Sequence, residues 1–122
     1  MFGTRMRCLA ALMMVGCSPV DDFETLESDI FLPSCGFSSC HGAGTGDLTI
    51  ASGQTYDALV GVASSSEPDQ TLVVPGDADA SYLMAKLEGR AAVGDAMPSG
   101  GGGLDEETLD RIRAWIEAGA ER

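Results

Sequence analysis

Apolar residues recur at intervals of three or four near both ends of the chain, and strand-like alternation is nearly absent. Between Asp21 and Phe31 the apolar positions Phe23, Leu26, Ile30 and Phe31 follow helical spacing, and acidic residues occupy the first turn, where they oppose the positive end of the helix dipole. This predicts a first helix that Pro33 ends. At the other end Asp105 precedes Glu106 and Glu107, and Leu109, Ile112 and Ile116 share a face with Trp115 at its edge. Arg111 and Arg113 fall on other faces, and Gly119 provides the stop. A short helix from Gln54 to Val62 would bury Tyr56, Leu59 and Val60. After an extended Leu72–Gly76, Asp79 can cap a helix running to Leu87, with Tyr82, Leu83 and Leu87 on one side and Gly89 closing it. A Gly-rich loop (43–47), a polar loop (64–69) and an irregular stretch (91–103) separate these elements. The pattern is that of an all-α domain of about four short helices with long irregular loops.

The first residues follow a different logic. Arg5 and Arg7 precede a short apolar run from Cys8 to Val15, then Gly16-Cys17-Ser18-Pro19. That is the build of an export signal, and it falls short of the roughly 18 apolar residues that a spanning helix needs. Met14-Val15-Gly16-Cys17 resembles a bacterial lipobox, with Met14 where Leu is usual. Cleavage would fall before Cys17, whose acyl chains would each contribute about 0.8 kcal/mol of anchoring per buried CH₂. The alternative is an ordinary signal peptide that leaves Cys17 a free thiol. The chain therefore divides into a lipoprotein-type signal (1–16), a lipidated Cys17 with a short tether (17–22) and a domain (23–122). The expected location is the periplasmic face of a bacterial membrane, and Ser18 after the cysteine fits outer-membrane sorting.

Composition narrows the function classes. The 122 residues carry 7 Lys and Arg against 19 Asp and Glu, a net charge of −12. Such a surface repels phosphates, which argues against nucleic acid as a partner and favours basic proteins. With 44% apolar residues but only 6% aromatic, and with 16 glycines, the core is thin for its length, so something beyond side chains is expected to fill the middle.

Of the four cysteines, Cys8 belongs to the signal and Cys17 to the anchor. Cys35 and Cys40 remain, and the single histidine, His41, follows the second directly. Two thiols and an adjacent imidazole are what covalent haem attachment requires, the thiols for thioethers and the imidazole for the iron. The spacing Cys35-x-x-x-x-Cys40-His41 is two residues longer than the usual Cys-x-x-Cys-His. A Cys35–Cys40 disulfide is the competing reading, because thiol pairs in exported chains oxidise by default. Zinc would lack a second ligand pair, and an iron–sulfur cluster would lack cysteines. Asp47 and Asp95 do not have calcium-loop spacing, and no nucleophile–base arrangement surrounds His41.

Over residues 23–120 the chain resembles the small cytochrome c-like domains of exported bacterial lipoproteins. The likeness rests on Ile30-Phe31 leading into Ser34-Cys35…Ser39-Cys40-His41-Gly42, then on Val74-Pro75-Gly76-Asp77…Ser81-Tyr82-Leu83. It closes with Met97-Pro98 ahead of Leu104…Ile112-Arg113-Ala114-Trp115-Ile116…Gly119-Ala120. The resemblance implies a cytochrome c-like fold around one covalent haem c, with Cys35 and Cys40 as attachment points, His41 as proximal ligand and Met97 as distal ligand. Trp115 would pack where the last helix crosses the first. A thioether is a soft donor that favours Fe(II), and ligation on both sides leaves no open position, so the expected role is electron transfer between redox partners rather than catalysis. Met84 is the rival sixth ligand, but it falls inside a predicted helix, where methionine commonly fills core. Lys86 and Arg90 are candidates to neutralise a propionate. The alternative function is a haem-free lipoprotein interaction module closed by the disulfide.

Overall fold

The computed structural model describes residues 20–37, 40–44, 47–92, 94–98 and 103–122. The signal and Cys17 lie outside the described residues, as do Ser38, Ser39 and most of the glycine run after Pro98. The architecture is helical, and among the described residues there is no strand, only isolated bridges joining Val60 to Val73 and Ala63 to Thr71.

The first helix departs from the sequence reading in an instructive way. Asp22 caps it, its carboxylate accepting from the Thr25 N–H at 2.8 Å. An α segment over Phe23–Leu26 then runs without a break into a π turn over Glu27–Phe31 and a second α segment over Leu32–Cys35; together these form α1. Pro33 does not end the helix. In a continuous α-helix its ring would collide with the carbonyl four residues back, and its missing N–H would break the ladder. The π turn moves the register, with Leu32 N–H donating to Glu27, so Pro33 stands at the start of a renewed turn, where it has no N–H to lose. The helix is thereby carried on to Cys35.

Helix α2 spans Thr55–Leu59, shorter than the predicted Gln54–Val62 because Val60 is extended and pairs with Val73. Helix α3 spans Tyr82–Leu87, and its N-cap is Ser81 rather than Asp79. The Ser81 hydroxyl donates to the Asp77 carbonyl and accepts from the Val74 N–H, both at 2.8 Å. The Tyr82 and Leu83 N–H groups donate to the carbonyls of Thr71 and Leu72, each at 2.9 Å, so the helix start is fixed by backbone. Asp79 instead accepts from Arg113 at 2.7 Å.

Helix α4, Glu106–Glu117, begins as the sequence predicts, with the Asp105 carboxylate accepting from the Thr108 N–H at 2.7 Å. Ile112, Trp115 and Ile116 are its buried residues, and Trp115 packs against Phe23 of α1 with ring centroids 5.2 Å apart. Arg111 reaches Asp21 and Asp29 on the α1 side, and Arg113 bridges Asp79 and Glu88 on the α3 side. The last residues seal this half: Trp115 Nε1 donates to the Glu121 carbonyl and the Tyr56 hydroxyl to that of Ala120.

Candidate functional site

The end of α1 delivers Cys35 into a tightly closed loop. Although six positions separate Cys35 from His41, the His41 N–H donates to the Cys35 carbonyl at 3.0 Å. Both Cys40 and Gly42 donate to the Phe37 carbonyl, at 2.9 and 2.8 Å. That turn demands glycine after the histidine: a Cβ at Gly42 would collide with the Gly36 carbonyl oxygen and the Phe37 backbone. Ile50 N–H then donates to the His41 carbonyl at 2.9 Å, fastening the far side. The backbone of His41 thus returns beside that of Cys35.

Cys35, His41 and Met97 line one cavity of about 270 Å³. They come from three separate segments. Met97 reaches it from the loop after α3, where its N–H donates to the Lys86 carbonyl at 2.9 Å and so occupies one of the open acceptors at that helix end. The cavity wall is mainly apolar, built from Phe31, Ile50, Leu59, Leu72, Leu83 and Leu87. Exposed Asp47, Asp95, Ser65 and Ser66 belong to its solvent side. Tyr82, Leu83 and Leu87, predicted to share one side of their helix, all face it.

The remaining sequence candidates separate cleanly. Met84 is fully buried in the core and is not part of the cavity wall. Lys86 lines the cavity, whereas Arg90 pairs with Glu88 on the surface. Cys35 and Cys40 are both free, half-buried thiols, and Cys40 is not among the cavity-lining residues. Burial, reinforced by the neighbouring Cys40, pushes the Cys35 thiol up to about 11, so at neutral pH it is protonated and is not poised as a thiolate ligand. Among the described residues no three His, Cys, Asp or Glu side chains converge to hold a bare metal ion. No described helix is long and apolar enough to cross a membrane.

One feature of the wall escaped the sequence reading. The Tyr82 hydroxyl is buried with no hydrogen-bond partner, and its residue lines the cavity. The available signal was a tyrosine on the apolar face of a short helix, a position that buries the ring and leaves its hydroxyl to be satisfied. No protein-family model, curated protein or solved structure matches this chain.

Proposed function

We propose that this chain is a monohaem c-type cytochrome with a cytochrome c-like fold, tethered by a lipidated Cys17 to the periplasmic face of a bacterial membrane, where it carries single electrons between redox partners. The observation that carries the reading is that Cys35, His41 and Met97 line a single apolar cavity while Met84 does not. The donor set fits haem. The thiol of Cys35 in the wall, and that of Cys40 just outside it, would hold the haem as thioethers, and the His41 imidazole and Met97 thioether would hold its iron.

When bound, the haem supplies a one-electron Fe(III)/Fe(II) couple, at a potential that His/Met ligation raises. The chain's own part is to hold and to exclude. The loop closed between Cys35 and His41 fixes the spacing of attachment thiol and imidazole, and the bond from Met97 N–H to Lys86 holds the thioether loop against α3. The apolar wall keeps water away and lowers the local dielectric, which makes any charge change inside more sensitive to its neighbours. The acidic surface steers basic partners, and that association weakens as salt rises.

A second reading rests on proximity: Cys40 is near enough to Cys35 to help push its thiol up, and both thiols are free. A haem-free module closed by a disulfide between them is its consequence. Expression of the full chain in a host with haem-attachment machinery separates the two. Haem staining that survives denaturation, and is lost in Cys40→Ser, is the expected result; Met97→Ala should keep the haem and change its spin state. A folded, colourless protein without reactive thiols at Cys35 and Cys40 would replace this reading with the disulfide.

A further inference from the structure

The His41 peptide is held on both sides. Its N–H donates to the Cys35 carbonyl at the end of α1, at 3.0 Å, and its carbonyl accepts from the Ile50 N–H at 2.9 Å. Ile50 begins a short segment, 50–53, that meets α1 at two places. At one end a Cβ on Gly36 would stand 3.2 Å from the Ile50 carbonyl oxygen, so the segment passes directly against the end of the helix. At the other end the Gly53 N–H donates to Glu27 Oε1 at 3.2 Å, further back along α1. These contacts close a ring that runs from α1 through Cys35 to His41, on to Ile50 and Gly53, and back to α1 at Glu27.

Burying a glutamate at that point is unfavourable in itself. Glu27 is only 9% exposed, and its Oε2 is buried with no hydrogen-bond partner. A carboxylate oxygen taken out of water and left unpaired costs stability. Gly53 is an exposed residue, so water is at hand for its N–H, and satisfying that donor does not account for the carboxylate. Glu27 also opens the π turn, where its carbonyl accepts from the Leu32 N–H in the register by which α1 continues to Cys35. One residue therefore lies on both approaches to the cavity, by its backbone on the way to Cys35 and by its side chain on the way to His41.

We infer that Glu27 is a positioning residue for His41. Its side chain pins the 50–53 segment against α1 and, through Ile50, fixes the His41 backbone relative to Cys35. The use of this tie rests on the reading proposed above and deepens it: an attachment thiol and an axial imidazole have to meet one porphyrin, so their separation is set by the backbone on both approaches. The tie itself belongs to the haem-free chain.

The test uses the full chain, purified reduced from a host without haem-attachment machinery, with amide hydrogen exchange followed by NMR. Glu27→Met keeps an unbranched, helix-favouring side chain and removes the acceptor, whereas Glu27→Gln keeps an acceptor oxygen. In Glu27→Met the Gly53 and Ile50 amides should exchange about tenfold faster, the scale of one hydrogen bond to a charged group, while the amides of α4 keep their rates. The ring signals of His41, the only histidine, should move in the same variant. Glu27→Gln should restore both the Ile50 protection and the His41 signals. Unchanged exchange at Ile50 in Glu27→Met, or failure of Glu27→Gln to rescue it, would overturn the assignment. Equal acceleration of all amides, or loss of the fold, would overturn it as well, because Glu27 would then be a general support. Haem staining of the unaltered chain from an attachment-competent host decides the cytochrome reading separately, so the tie and the haem can fail independently.

Discussion

The two halves of this domain are built from the same thin supply of apolar residues and finish differently. Around Trp115, the ring of Phe23 packs on one side and Tyr56 meets it edge-on at 6.3 Å, while the indole N–H and the Tyr56 hydroxyl both find carbonyl partners. Around Tyr82, leucines and Phe31 line an apolar cavity, and the hydroxyl is unpaired. Phe31 belongs to both halves, stacking on Phe23 at 6.0 Å and lining the cavity. The contrast teaches that the shortage of core is not spread evenly. One half is filled by its own side chains, and the other surrounds a cavity.

Replacing side chains in each half sharpens that contrast. Trp115→Ala in the ligand-free chain should lower unfolding stability by about 3–5 kcal/mol, as for a well-packed aromatic. Leu83→Ala, on the cavity wall, should lower it by under roughly 2 kcal/mol, because part of its surface has no packing to lose. Urea unfolding measures both, and equal losses would break the comparison.

The tyrosines give a smaller and cleaner pair. Tyr56→Phe removes a formed hydrogen bond and should be destabilising by about 1 kcal/mol. Tyr82→Phe removes a hydroxyl without a partner and should leave the ligand-free chain unchanged or slightly more stable. A Tyr82→Phe loss as large as that at Tyr56 would mean the hydroxyl is already satisfied.

Acid should act on the closed half first, through small contributions from several groups. Hydrogen bonds from Thr25 and Thr108 hold the capping carboxylates of Asp22 and Asp105 below their ordinary value, and Arg113 does the same for Asp79. A carboxylate whose folded value lies below its unfolded one stabilises the fold above the unfolded value, and the benefit is lost as pH falls through the folded value. The urea midpoint followed by Trp115 fluorescence should therefore stay level near neutral pH and fall below about pH 4. Asp105→Asn, which keeps a capping oxygen, should flatten that fall, and an unchanged acid profile in this variant would remove Asp105 from the explanation.

Helix α4 was legible in the sequence down to its cap, because Asp105, the apolar positions Ile112 and Ile116, and Gly119 all act within a few residues of each other. The side of α3 that carries Tyr82, Leu83 and Leu87 was legible for the same reason. The course of α1 was not, since passage through Pro33 depends on a π turn that no local propensity specifies. Nor was the change of partner at Asp79, which is drawn off by Arg113 from a different helix. In the candidate site, Cys35, Cys40 and His41 could be named from residue type, Met97 from the family resemblance and Lys86 as a nearby cation; of these Cys40 is not among the residues that line the cavity. That Met97 faces the cavity and Met84 the core depends on where the loop after α3 is tied, a tertiary fact. The orphaned Tyr82 hydroxyl is visible only once every neighbour is in position.

Mass-spectrometric peptide mapping of the chain from a host with haem-attachment machinery tests the central claim most directly. The account predicts a single peptide containing Cys35, Cys40 and His41 that carries one covalently added haem. Recovery of that peptide without added mass, with Cys35 and Cys40 joined to each other, would contradict it.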